Sequence, residues 1–91
     1  MNKAVLIERI ALDVGITKNT AAAAVDCMIE SMAEALQENE RVTLTGFGTW
    51  AVSHRQERTG RNPQTGESIR IKAKNSVRFK PGKQLELMLN D

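Results

Sequence analysis

Aromatic residues are nearly absent from this 91-residue chain: one tryptophan, two phenylalanines and no tyrosine. Trp50, Phe47 and Phe79 must therefore supply all the ring packing that small cores usually rely on. Disulfides cannot compensate, because Cys27 is the only cysteine. A lone cysteine among apolar neighbours suits a reducing, intracellular compartment. Nothing basic is adjacent, so Cys27 is expected to be a packed, inert thiol. No apolar run approaches the roughly 20 residues of a membrane span. The first residues, Met1-Asn2-Lys3-Ala4-Val5, have neither signal-peptide nor transit-peptide character. The expectation is a soluble, cytoplasmic or nucleoid-associated protein with no membrane partner. A chain this short is one domain at most and has few ways to stabilise itself without a partner copy. An obligate oligomer is expected on that ground.

Catalytic and metal-binding sets are also missing. His54 is the only histidine, and no cysteine set accompanies it. Gly46-Phe47-Gly48 lacks the lysine and hydroxyl residue of a phosphate-binding loop. No nucleophile–base pair can be assembled, so neither an enzyme nor a cofactor is expected. The row Asp26, Glu30, Glu34 and Glu38 reads as a solvated helix face.

Charge, by contrast, is abundant and unevenly placed. Residues 1–40 carry three basic and seven acidic side chains, whereas residues 41–91 carry ten basic and four acidic. Between positions 55 and 83 there are nine cations and only two carboxylates, Glu57 and Glu67. That asymmetry points to a polyanion partner for the second half, or to a solvated basic surface.

The first half has helical periodicity. Asn2 can cap a helix carrying Leu6, Ile7, Ile10, Ala11 and Val14, with Gly15 as its C-terminal stop. Thr17 can cap a second helix with the stripe Ala21, Val25, Met28, Met32 and Leu36, ending near Asn39. The period then becomes two. Val42 and Leu44 alternate with polar residues, and Gly46-Phe47-Gly48 forms a turn whose two glycines allow unusual φ. A long strand is expected from Thr49 to Arg61, with Trp50 and Val52 on one face. Asn62-Pro63-Gln64-Thr65-Gly66 has the residue types of a reverse turn. The return strand through Ser68–Lys74 places Arg70, Lys72 and Lys74 on one face, and Val77 and Phe79 rejoin the core. A short helix follows Lys80-Pro81-Gly82-Lys83.

The segment from Val52 to Asn62 spans about 36 Å if extended at roughly 3.3 Å per residue. A domain of this size has a radius of gyration of about 12 Å. The hairpin must therefore project. It is nearly all polar, and an isolated ribbon is marginal in water, so it should be mobile until an anion orders it. A basic ribbon can track two phosphate backbones while lying in a groove, releasing counterions. Pro63 at the tip has two readings: a residue that shapes the turn, or a rigid wedge that unstacks a base step.

Gly46-Phe47-Gly48-Thr49-Trp50, then Arg58-Thr59-Gly60-Arg61-Asn62-Pro63-Gln64-Thr65-Gly66 and Phe79-Lys80-Pro81-Gly82-Lys83, resemble the HU/integration host factor family of bacterial histone-like proteins. The resemblance runs along the whole chain. It implies an α+β fold: two N-terminal helices, a three-stranded antiparallel sheet with a long protruding β-hairpin arm, and a short C-terminal helix, in an intertwined dimer. Residues 1–40 would be the helical dimerisation base, 41–82 the sheet and arm with its tip at 62–66, and 83–91 the last helix. The implied activity is architectural, largely sequence-independent bending of double-stranded DNA in the nucleoid. HU and integration host factor are themselves standard cases of wedge insertion in the minor groove.

Carried onto this chain, the resemblance makes Pro63 the intercalating residue. Lys3, Arg55, Arg58, Arg61, Asn62, Arg70, Lys72, Lys74, Lys80 and Lys83 become DNA-binding candidates. Phe47, Trp50 and Phe79 become dimer-core aromatics. A homodimer is implied, with a heterodimer with a paralogue as the other possibility. Several positions depart from the pattern. Trp50 replaces a usual phenylalanine, Ser53 an often basic residue, and Glu86 a frequent lysine, and Asn75-Ser76-Val77 lacks a common proline. The alternatives are a site-specific bender like integration host factor, towards which the short C-terminus does not lean, and a single-strand or RNA binder. The latter favours exposed aromatics for base stacking, and the arm has none.

Overall fold

The computed structural model describes residues 1–90. Two compact units make up the chain, one over residues 1–35 and the other from Leu36 onward.

The first unit contains α1 (Lys3–Val14) and most of α2 (Lys18–Gln37). Local chemistry sets their ends. The Val5 amide donates to Asn2 Oδ1 at 2.9 Å, and Gly15 ends α1 at φ 79°, its amide donating to the Ala11 carbonyl. The Thr20 amide donates to Thr17 Oγ1 at 3.1 Å, the cap expected for α2. Past Gln37, Asn39 takes φ 60°. The helices bury only small side chains, Ala11, Ala21 and Val25. Cys27 is exposed, with Sγ 4.0 Å from Ser31 Oγ, so the thiol is not packed within the chain as expected. Met28 and Ile29, beside Cys27 on α2, are exposed as well.

The second unit holds two antiparallel sheets and α3 (Lys83–Leu89). β1 (Val42–Leu44), β2 (Gly48–Arg55) and β5 (Lys74–Pro81) form a three-stranded sheet in the order β1-β2-β5. β3 (Arg58–Arg61) and β4 (Ser68–Ile71) pair only with each other and form the arm.

The continuous strand expected from Thr49 to Arg61 is thus divided at Gln56–Glu57, and the return strand is divided at Lys72–Ala73. Register explains what kind of break this is. Arg55 pairs with Lys74 on one side and Arg58 with Ile71 on the other. Two residues are skipped on each strand, so the pairing lapses without a bulge. The four skipped residues offer no apolar cross-strand pair to hold the ladder. Beyond the gap, Ile69 and Ile71 lie over Gly60, where an added Cβ would come 3.0 Å from Ile71 Cδ1. The arm is therefore less uniformly polar than its first strand. The gap also divides the expected row of cations: Arg70 belongs to the arm ladder, Lys74 to the body ladder, and Lys72 lies between.

The turn joining β1 to β2 corrects one detail. Gly46 has φ 85°, as a glycine turn predicts, but Gly48 does not have positive φ. Gly48 is needed for closeness: a Cβ there would lie 2.4 Å from the Phe79 ring and 2.7 Å from the Lys80 carbonyl.

No side chain larger than valine is buried among the described residues. Phe47 is 49% exposed, Val77 57% and Phe79 42%. For a folded chain this leaves an unusual amount of apolar surface uncovered.

Candidate nucleic-acid interface

Direct cross-strand partners in an antiparallel ladder share a face. In the three-stranded sheet one face carries Val42, Leu44, Trp50, Val52, Val77 and Phe79. Its rings cluster: Trp50 and Phe79 centroids are 4.7 Å apart, and Phe47 lies 5.9 and 5.8 Å from the two. His54 and Asn75 end this face, with Nδ1 2.6 Å from Asn75 Oδ1, a structural contact rather than a metal ligand set. No group of three or more metal-ligating side chains exists among the described residues.

The other face carries Thr43, Thr49, Ala51 and Ser53 against Lys80, Arg78, Ser76 and, with Arg55, Lys74. Four cations stand over small side chains, and no carboxylate among the described residues shares the face. Arg78 is a functional candidate that the sequence did not single out. Its signal was present, since residues 78 and 80 have the same strand parity, as do 74 and 76.

In the arm, Arg58 shares a face with Gly60, Ile69 and Ile71. Arg61 lies on the opposite face with Thr59, Ser68 and Arg70. The tip is built by Asn62. Its side-chain Oδ1 accepts from the Gln64 amide at 2.9 Å, its carbonyl accepts from Gly66 at 2.7 Å, and its amide donates to the Glu67 carbonyl at 2.8 Å. Gly66 closes the turn at φ 74°. Pro63 stands exposed within it.

The candidate cations fall into two groups. Lys3 is paired with Asp26 at 2.5 Å, and Arg70 with Glu57. Arg55, Arg58, Arg61, Lys72, Lys74, Arg78, Lys80 and Lys83 have no carboxylate within salt-bridge distance among the described residues. All are exposed and available to an anion.

An exposed cationic face and a basic hairpin are the form of a polyanion-binding module. The bacterial DNA-binding protein family matches residues 1–90. The chain belongs to that family, the family of HU. Among its relatives, the HU protein of Xylella fastidiosa is 49% identical over 86 residues, covering 94% of this chain and 92% of that protein. HU-beta of Escherichia coli is 48% identical over 90 residues, 99% of this chain and all of the relative. Among solved structures, an Anabaena HU–DNA cocrystal structure superposes with a TM-score of 0.85 at 35% identity, covering 98% of this chain and 97% of that one. HU from Thermotoga maritima gives 0.68 at 28% identity, with 98% of each chain covered. Membership makes this HU-family chain a histone-like, architectural DNA-binding protein and not an enzyme. The α+β fold read from the sequence is that of its HU neighbours. No helix of the described residues is long and apolar enough to cross a membrane.

Proposed function

We propose that this HU-family chain bends double-stranded DNA as a homodimer, largely without regard to sequence, and thereby organises the nucleoid. The single observation that carries this reading is the arm: a two-stranded basic ribbon, paired with nothing else, whose tip presents an exposed Pro63. Each arm lies in the minor groove, where Arg58 and Arg61 meet phosphates or the groove wall. Lys72 and the paired Arg70 add positive charge along the ribbon. Pro63 enters a base step as a rigid wedge, at a cost of a few kcal/mol that the backbone contacts offset. Asn62 positions it by holding the turn. Arg55, Lys74 and Lys80 on the sheet, Lys83 at the start of α3 and Lys3 on α1 meet the flanking backbone.

Dimerisation accounts for the uncovered apolar surface. Phe47, Trp50 and Phe79 pack at one end of the apolar sheet face, and a second copy would cover what remains exposed there. Residues 1–40 are the helical dimerisation base in this reading. Burying about 25 cal/mol per Å² of apolar area makes such a contact strongly favourable.

End-to-end fluorescence transfer on short duplexes of unrelated sequence, titrated at two salt concentrations, tests the reading. The expected result is approach of the ends on every sequence, weakened by salt. Bending of one sequence alone would favour a site-specific bender, and binding without bending would eliminate the wedge.

A further inference from the structure

Helix α1 is apolar on two sides. Its inward side holds the buried Ala11 and the half-buried Ile7 and Ile10. Its outward side carries Val5 and Leu12, which are 45% and 83% exposed. At about 100° per residue these two lie about 20° apart around the helix, and Ile7 and Ile10 lie about 140–160° away from Val5. Glu8 stands about 60° to one side of Val5 and Arg9 about 40° to the other. A single exposed leucine needs no explanation. A valine and a leucine two turns apart, flanked by one acid and one base, form a stripe that the chain itself leaves uncovered. The order of these four residues decides what fits it. A second α1 running in the same direction, about a two-fold axis parallel to the helices, sets Val5 on Val5 and Leu12 on Leu12. It also brings each Glu8 beside the Arg9 of the other copy. A second α1 running in the opposite direction would put both glutamates on one flank and both arginines on the other, like charge against like. Glu8 and Arg9 are open to new partners. Their contacts to Lys18 and Asp13, at 3.5 and 3.3 Å, join exposed side chains and are worth little in water.

We propose that the outer face of α1 joins one homodimer to another: two α1 helices pack in parallel through Val5 and Leu12, with crossed Glu8–Arg9 ion pairs on both flanks. This rests on the homodimer reading above and goes beyond it. The contact is small. One stripe of a 12-residue helix buries far less than the roughly 1,000 Å² of a stable interface, so homodimers stay separate when dilute. Held on one DNA molecule, neighbouring homodimers reach local concentrations on the order of millimolar, where a weak contact becomes populated. Each homodimer has two α1 helices and therefore two such faces, so the contact extends into arrays. It acts on DNA compaction and leaves the binding of a single homodimer to a short duplex untouched.

Sedimentation of the DNA-free full chain, from dilute solution up to about 1 mM, tests it. The expected mass is two chains when dilute, rising to four chains and more. Leu12→Gln should keep the fold, because the side chain it replaces is mostly in solvent. It should shift the rise to about tenfold higher concentration, yet bind a duplex long enough for one homodimer as tightly as wild type does. E8R and R9E each place like charges side by side and should weaken the assembly by about three- to tenfold, whereas the double variant E8R/R9E restores opposite charges and should recover it. Four outcomes overturn the proposal. They are a wild type that remains two chains at about 1 mM, a Leu12→Gln protein that assembles like wild type, a Leu12→Gln protein that falls to single chains when dilute, and a double variant no better than the singles. The first of these leaves the homodimer standing. A wild type of single-chain mass throughout overturns the homodimer as well.

Discussion

Glu57 reaches across the arm to the guanidinium of Arg70, from the gap between the two ladders into the distal one. By register Glu57 stands opposite Lys72, yet its carboxylate is spent on Arg70. The pair therefore spans the level at which the hairpin's pairing lapses. It also gives Arg70 an anionic partner that a DNA phosphate would have to displace.

Removing that competitor should help DNA binding. Exposed ion pairs are worth at most about 1 kcal/mol, so Glu57→Gln should tighten duplex binding by about two- to fivefold per arm. The gain should shrink as salt rises. Anisotropy titrations of both proteins on one duplex measure this. Equal affinities at low salt would mean that Arg70 makes no phosphate contact.

If Pro63 is the proposed wedge, Pro63→Ala should reduce bending more than binding, because a wedge acts on stacking whereas cations act on phosphates. Fluorescence transfer at saturating protein measures the bend, and anisotropy measures the affinity. Identical bend angles in the two proteins would remove the wedge from the mechanism.

Arg58 and Arg61 face opposite sides of the arm ladder, so each can meet a different wall of the groove. Changing both to alanine should weaken binding to all sequences alike. It should also flatten the salt slope by about 0.9 for every phosphate that the arm no longer neutralises. A slope equal to wild type would show that these arginines do not meet the backbone.

Gly48→Ala should destabilise the fold without touching a cation. The new methyl would collide with the Phe79 ring and the Lys80 carbonyl, one of them main chain and unable to move alone. Overpacking of this kind costs about 1–3 kcal/mol, and each kcal/mol lowers Tm by about 4–8 °C in a small domain. A thermal melt followed by circular dichroism checks it, and a Tm within a degree of wild type would contradict the close approach.

If a second copy covers the apolar sheet face, Tm should rise with protein concentration, because dissociation accompanies unfolding. Sedimentation should give twice the chain mass. A concentration-independent Tm with a monomeric mass would exclude the dimer.

Much of this protein was legible in its sequence because the signals are local. Asn2, Gly15 and Thr17 mark helix ends through bonds that reach no further than four residues. Alternation separates Trp50 and Val52 from Ala51 and Ser53 within one strand. The tip turn follows from Asn62 and Gly66, whose hydrogen bonds close within five residues. What the sequence alone did not decide depends on which residues of distant strands face one another. Cross-strand register paired Arg78 with Ala51, left Gln56, Glu57, Lys72 and Ala73 outside both ladders, and pressed Gly48 against Phe79. It also decided which cations are already partnered: Lys3 meets Asp26 and Arg70 meets Glu57 across 23 and 13 positions of chain, separations at which no periodicity carries information. Local order is encoded by propensities and hydrogen bonds to near neighbours. The electrostatic character of the interface is set by contacts that exist only once the strands and helices have packed.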